Sequence, residues 1–266
     1  MALSRNGVDL DMAGNALLNC STINAMRPGE RVLRYAQAGA GGTALTLVAI
    51  SAYGSTGTAT ARPGITSIAG ATIFQEIDKV ALVSVATSPA AAQFRLAGAV
   101  YRPHAAGRGG FDVTIRCGAS DPAAVAGARC FYGFSGQVSA GAFANANPST
   151  FTNLLGVGAD AGEATLSIFT NAGAGTATKL ALGAAFPANS LSVDFYAIRF
   201  FCPIGILDRV FYEITNQTTG ATVAGSLLTN LPVAGTALEP TAWRNNGVTA
   251  LAVAVDMAQV TIIKFL

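Results

Sequence analysis

The sequence predicts an all-β protein: an antiparallel, jelly-roll-like β-sandwich with a short extended N-terminal arm and little helix. Three observations lead there. Apolar side chains recur with period two in run after run. Gly, Pro and Asn punctuate those runs at short intervals. Helical segments do not alternate with them, so parallel βαβ layers are not expected.

The elements follow in chain order. Ala44–Ser51 and Val80–Val85 are apolar runs of strand length. In Phe111-Asp112-Val113-Thr114-Ile115-Arg116-Cys117 the odd positions are apolar and the even ones polar, the mark of a strand with one wet face. One helical turn or two is expected next, with Asp121 as cap, Pro122 at the first position and Ala123–Ala128 behind it. Leu191–Phe201 and Phe211–Thr215 read as strands. Leu251, Val253, Val255 and Met257 alternate with Ala252, Ala254 and Asp256, a large face backed by a small one, and Val260–Leu266 follows as a separate strand. Turns are expected at Arg62-Pro63-Gly64, at 106–110, at Asn171-Ala172-Gly173, at Thr219-Gly220 and at Asn245-Asn246-Gly247. Residues 1–30, with Asn15, Asn19 and Asn24 and an end at Arg27-Pro28-Gly29, read as an arm that orders against a partner. Residues 31–266 read as the sandwich body, with no linker or repeat inside it.

Composition narrows the function. Of 266 residues 11% are charged, against roughly a quarter in ordinary soluble domains. Such a surface is covered by small residues or buried against copies of itself, which favours an oligomer. The net charge of +2 is spread thinly, and Arg27, Arg31 and Arg34 form the one local basic cluster, so nucleic-acid binding is not expected. The longest uncharged stretches, Tyr35–Ala61 and Phe131–Ala159, are broken by Gly, Ser, Thr and Asn, so membrane insertion is not expected either. The start lacks a basic segment followed by an apolar run, which predicts no secretory leader and assembly in a cytoplasm.

Catalytic and metal signatures do not assemble. The four cysteines, Cys20, Cys117, Cys130 and Cys202, include no C-x-x-C pair, and the sole histidine, His104, is remote from them. A Cys117–Cys130 bridge and reduced core thiols both stay open, the missing leader favouring thiols. Gly133-Phe134-Ser135-Gly136-Gln137 misses the nucleophile-elbow pattern at its last position. His104, after Pro103 and before a Gly-rich loop, reads as a loop residue. Asp160 with Glu163, or Asp194 with Asp208, would be carboxylate pairs for glycoside hydrolysis, but no spacing selects them, and Asp160-Ala161-Gly162-Glu163 reads as a polar hairpin turn. No enzyme, cofactor or metal site is expected. Trp243 with Arg244, Asn245 and Asn246 is a candidate glycan platform, a flat apolar ring beside amide and guanidinium donors. The competing reading is a buried Trp closing the sandwich before an Asn-Gly hairpin.

Two sets of phrases add a resemblance. Leu10-Asp11-Met12-Ala13-Gly14-Asn15, running on to Asn19, resembles the segment just inside the N-terminus of tailed-bacteriophage fibre and receptor-binding proteins. Residues 57–266 resemble the C-terminal body of a group of phage tail proteins. The similarity runs through Arg108-Gly109-Gly110-Phe111, Ser120-Asp121-Pro122-Ala123, Phe131-Tyr132-Gly133-Phe134, Asn147-Pro148-Ser149-Thr150, Phe186-Pro187-Ala188-Asn189 and Arg244-Asn245-Asn246-Gly247. The resemblance implies a structural virion protein: a short tail fibre or receptor-binding appendage, homotrimeric, adhering to the host surface, where a glycan is the candidate partner. Leu10, Asp11, Met12, Gly14 and Asn15 would attach it to other virion proteins. With almost no shaft between the two phrases, a short appendage is implied. The alternatives are a non-adhesive capsid decoration, collar or baseplate protein, and, further off, a glycan-degrading tailspike.

Overall fold

The computed structural model describes residues 72–96, 99–104, 109–136, 145–189 and 191–265, together with the strands within 3–10, 32–38, 45–48 and 52–62. Eighteen strands occur among them. The first nine are β1 (Leu3–Arg5), β2 (Val8–Leu10), β3 (Val32–Ala38), β4 (Leu45–Val48), β5 (Ala52–Thr56), β6 (Thr58–Arg62), β7 (Lys79–Val83), β8 (Ala91–Leu96) and β9 (Phe111–Ala119). The others are β10 (Arg129–Ser135), β11 (Leu154–Ala159), β12 (Ser167–Asn171), β13 (Thr178–Ala181), β14 (Phe195–Cys202), β15 (Val210–Asn216), β16 (Thr222–Leu227), β17 (Glu239–Asn245) and β18 (Ala254–Lys264). A four-residue helix, α1 (Ile73–Glu76), and a 3-10 turn at Pro148–Thr150 complete the described elements.

The strands form two antiparallel sheets, so the expected sandwich is present. One sheet runs β13-β12-β11-β10-β17-β8-β5. The other runs β16-β15-β14-β9-β18, and beyond β18 it divides: the first part of β18, Ala254–Met257, bonds β7, and the last, Gln259–Lys264, bonds β3. A register shift between Met257 and Gln259 makes this division, so the two expected strands at 251–257 and 260–266 are one long strand bent at a bulge. β1 and β2 pair as a small hairpin within the expected N-terminal arm. Asp11, Met12, Gly14 and Asn15 lie outside the described residues.

The period-two strands behave as their patterns require. β9, β14 and β15 each alternate a buried and a more exposed side. Their buried side chains, among them Phe111, Val113, Ile115, Ile198, Phe200 and Ile214, meet Tyr132, Phe134, Leu155, Val157 and Ile168 of the facing sheet in one core. Each such side chain contributes about 1.5–3 kcal/mol by leaving water.

β11, β12 and β17 are different: they are buried on both faces. On the outer side of their sheet Phe131, Leu154, Phe169 and Trp243 form a second cluster with Phe151, just after the 3-10 turn, and Ala177, just before β13, whose amide donates to the Ser149 carbonyl. A close approach underlies this. Gly133 and Gly156 oppose one another across β10 and β11. A Cβ on Gly133 would sit 2.4 Å from the Gly156 Cα, and one on Gly156 would sit 2.5 Å from Phe131 Cζ. The Phe131 ring therefore lies over a bare stretch of backbone that only glycine leaves open.

The two sheets are tied at one point by charge. Arg244 on β17 and Asp121, just past β9, have side chains 1% and 0% exposed. Arg244 Nε donates to both Asp121 carboxylate oxygens, at 2.8 and 2.9 Å, and Nη2 donates to Asn189 Oδ1 at 2.9 Å. Asp121 Oδ1 also accepts the Ala254 amide at 2.8 Å, so the same carboxylate holds the start of β18. Burial alone would lower the Arg244 pKa, but Asp121 outweighs it and holds the guanidinium above its ordinary value. The helix expected from Asp121 to Ala128 is absent: the segment is bends and turns. The Asp-Pro-Ala signal suits a helix cap, yet the carboxylate is taken by an arginine 123 residues away.

Two stability measurements check this account. Asp121→Ala, which leaves a buried guanidinium without its counter-charge, is expected to cost about 3–5 kcal/mol in urea unfolding, and Asp121→Leu combined with Arg244→Met should recover much of the loss. Gly156→Ala is expected to cost about 1–3 kcal/mol through forced overlap with Phe131. Gly173→Ala, where the new methyl meets nothing within 4 Å, should change stability by about 0.5 kcal/mol or less.

Candidate functional site

Three central strands end together at one rim of the sandwich. Phe111 begins β9 opposite Cys202 at the end of β14 and opposite Lys264 at the end of β18. The segment before β9 crosses this rim. Val100 exchanges two backbone hydrogen bonds with Leu238, at 2.8 and 2.9 Å, and Gly110 N donates to Tyr101 O at 2.9 Å. Gly109 and Gly110 have φ of +91° and +117°, a left-handed turn that suits glycine. A Cβ on Gly110 would stand 2.8 Å from the Cys202 carbonyl oxygen, so this turn packs backbone against backbone.

The turn leaves a concave pocket of about 440 Å³ lined by Tyr101, Arg102, His104, Lys264 and Phe265 with glycines 109, 110 and 235. Tyr101 is 41% exposed and His104 is exposed, whereas Arg102 is only 8% exposed. Arg102 Nη1 donates to the Pro232 carbonyl at 2.6 Å and Nη2 to the Leu207 carbonyl at 2.7 Å, pinning two rim loops together. Burial lowers the Arg102 pKa, with Cys202 and Asp208 acting in the opposite sense. Chemically, the pocket offers aromatic surface, an imidazole, an ammonium and a guanidinium. It has no carboxylate among its described lining residues, so the two acids of a glycosidase are not assembled there.

The residues singled out in the sequence lie elsewhere. Trp243, Arg244, Asn245 and Asn246 are 0–3% exposed, which corrects the expected glycan platform. The Trp243 ring packs edge-on against Phe151 at 6.1 Å, and Arg244 is held by Asp121. Asn245 Oδ1 accepts the Gly247 amide at 2.7 Å; Asn246 donates to the Thr87 and Leu251 carbonyls at 2.7 and 2.9 Å. The amides close a turn and are not open to a sugar. Asp160 and Glu163 do form the expected hairpin turn, and Lys179 contacts both carboxylates. Asp194 accepts a bond from Asn216 at 2.6 Å before β14 begins, while Asp208 follows the other end of β14. Eight strand residues separate their ends by roughly 25 Å, too far for paired catalysis. Ser135 is fully buried within β10.

Sequence reasoning placed His104 in a loop but missed Tyr101, Arg102, Lys264 and Phe265 as its companions. The available signal was local: Tyr101-Arg102-Pro103-His104 packs ring, cation and imidazole into four residues beside a glycine-rich stretch.

No described protein family and no curated protein sequence matches the chain. Solved structures do. A protein of unknown function from Shewanella oneidensis superposes with a TM-score of 0.53 at 14% identity, over 92% of this chain and 91% of that one. Peanut lectin with a nine-residue peptide gives 0.52 at 13% identity, over 88% and 97%. Basic winged bean lectin with Tn-antigen gives 0.50 at 8% identity, over 88% and 98%. What is shared at these identities is the fold, the β-sandwich of the legume lectins.

Cys117, Cys130 and Cys202 are buried free thiols, so the Cys117–Cys130 bridge is not formed. Burial pushes Cys130 and Cys202 from 9.0 up to about 11 and Cys117 well above 9.0. In a Cys20→Ser variant all three should therefore ignore an aromatic disulfide reagent at pH 8 until the protein unfolds. Their raised folded pKa also sets a sign. The stability they confer is complete below about pH 9 and is lost as pH rises toward 11. Unfolding midpoints should fall across that window, and less steeply in a Cys130→Ala, Cys202→Ala variant.

Proposed function

We propose that this chain is an adhesive β-sandwich of a bacteriophage particle, a short tail fibre or receptor-binding appendage that holds a host-surface glycan in the rim pocket. The observation that carries the adhesive part is the pocket itself. It is an open concavity of about 440 Å³ at the loop end of a rigid sandwich, with the exposed Tyr101 ring beside His104 and Lys264. An aromatic face with polar donors around it is the chemistry that receives a sugar ring. The fold supports the reading, because it is shared with winged bean lectin, whose structure contains the Tn-antigen. The particle part rests on the Leu10-Asp11-Met12-Ala13-Gly14-Asn15 phrase and the body phrases that follow it. A homotrimer fits a chain in which 11% of residues are charged, and three weak sites held together gain from effective concentration.

The test is binding to a bacterial glycan array, followed by calorimetry on any hit. Tyr101→Ala and His104→Ala are each expected to weaken binding by about tenfold, roughly 1.4 kcal/mol, while leaving the unfolding midpoint in place. Purified virions probed with antibody should contain the protein. Its absence there overturns the particle reading. Its presence without any glycan binding leaves a decoration, collar or baseplate role, and shortening of host polysaccharide would instead indicate a tailspike.

A further inference from the structure

The described residues include three arginines less than 10% exposed: Arg95, Arg102 and Arg244. Two are matched by carboxylates. Arg95 pairs with Glu239 at 3.1 Å, and Arg244 pairs with Asp121. Arg102 forms no ion pair among the described residues. Its bonds go to neutral groups, the Pro232 and Leu207 carbonyls and the Cys202 thiol, and its Nε has no hydrogen-bond partner among the described residues. Asp208, an acid whose charge it feels, is exposed and is bonded to its own neighbour Arg209 at 2.8 Å.

A buried charge is normally paired, because leaving it alone costs several kcal/mol. Arg102 differs from the other two in one respect: it lines the open rim pocket. A guanidinium has five N–H donors, and the two carbonyls use two of them. The donors left on Nη1 and Nη2 suit an acceptor-only anion. Lys264 and His104 add cationic or cation-capable groups to the same pocket, and its described lining contains no acid that would repel an anion.

We infer that the rim pocket takes an acidic sugar, with Arg102 as the residue that meets its negative substituent, a carboxylate or a phosphate ester. This rests on the adhesive reading above and adds the ligand's charge to it. The anion supplies the counter-charge that the fold gives Arg95 and Arg244 but withholds from Arg102. Neutral sugars would fill the same volume while leaving the guanidinium unmatched, so discrimination lies in the charge rather than in the ring.

The experiment uses matched pairs on the unmodified protein. Uronate- and sialate-bearing oligosaccharides are titrated beside their carboxyl-reduced forms, and sugar phosphates beside their dephosphorylated forms. At least one acidic member is expected to bind tenfold or more tighter than its neutral partner, with the advantage shrinking as salt rises. The two arms tell carboxylate from phosphate. In Arg102→Gln the advantage should fall to about twofold or less, a loss of roughly 1 kcal/mol or more of discrimination. Should Arg102→Gln not fold, the Arg102 Nε–H resonance of labelled wild-type protein reports directly. It is expected to shift on adding the acidic sugar, and a resonance that stays put overturns the assignment. Equal affinity within every pair overturns the inference and leaves the glycan reading standing. An acid preference that survives in folded Arg102→Gln overturns the role of Arg102. No binding of any sugar removes the glycan reading, and this inference with it.

Discussion

One salt bridge that no solvent reaches fixes how the two sheets of the sandwich meet. Asp121 and Arg244 meet between the sheets, and the same carboxylate accepts the amide that begins β18. Apolar packing would hold the two sheets together without it, since the core around Phe111, Phe134 and Phe200 is extensive. What the ion pair adds is register. A buried guanidinium and carboxylate tolerate no other register, because any displacement strands both charges. The 2.8 Å bond from Ala254 then passes that register on to the strand that organises the nine-stranded sheet.

That tie also explains how so few charges serve so large a fold. Two of the buried arginines are matched, Arg95 by Glu239 and Arg244 by Asp121. The rest of the interior is made by covering both faces of the central strands. Phe131, Trp243 and Phe169 would be an exposed aromatic stripe on the outside of their sheet, but Phe151 and Ala177 cover them. The Gly133–Gly156 approach makes room for this second layer.

The strands most legible in the sequence were those with one wet face. Phe111–Cys117 announces itself because Asp112, Thr114 and Arg116 alternate with buried neighbours. Leu154–Ala159 and Glu239–Asn245 were not legible, because burial on both faces erases the alternation and leaves short runs with glycine or proline in them. The bulge between Met257 and Gln259 split one strand into two apparent ones, since an extra residue inverts the phase of the pattern. Asp121 carried a true local signal for a helix cap, and a distant arginine overrode it. Trp243 was weighed as platform or core, and only the covering segments decide between the two. The rim pocket was hardest to foresee. Its lining comes from three stretches of chain, 101–110, 235 and 264–265, and nothing local links them.

β18 lies among the last described residues in the chain and yet in the middle of its sheet, bonded to β9 on one side and to β7 and then β3 on the other. Until residues 254–264 have left the ribosome, β9 can pair with β14, β3 with β4 and β7 with β6, but nothing joins these pieces into one sheet. The facing sheet waits in the same way for β17, which joins β10 to β8. Synthesis therefore cannot build this sandwich strand by strand. A nascent chain holds both sheets in separate pieces until β17 and β18 are made, and each sheet becomes continuous only then.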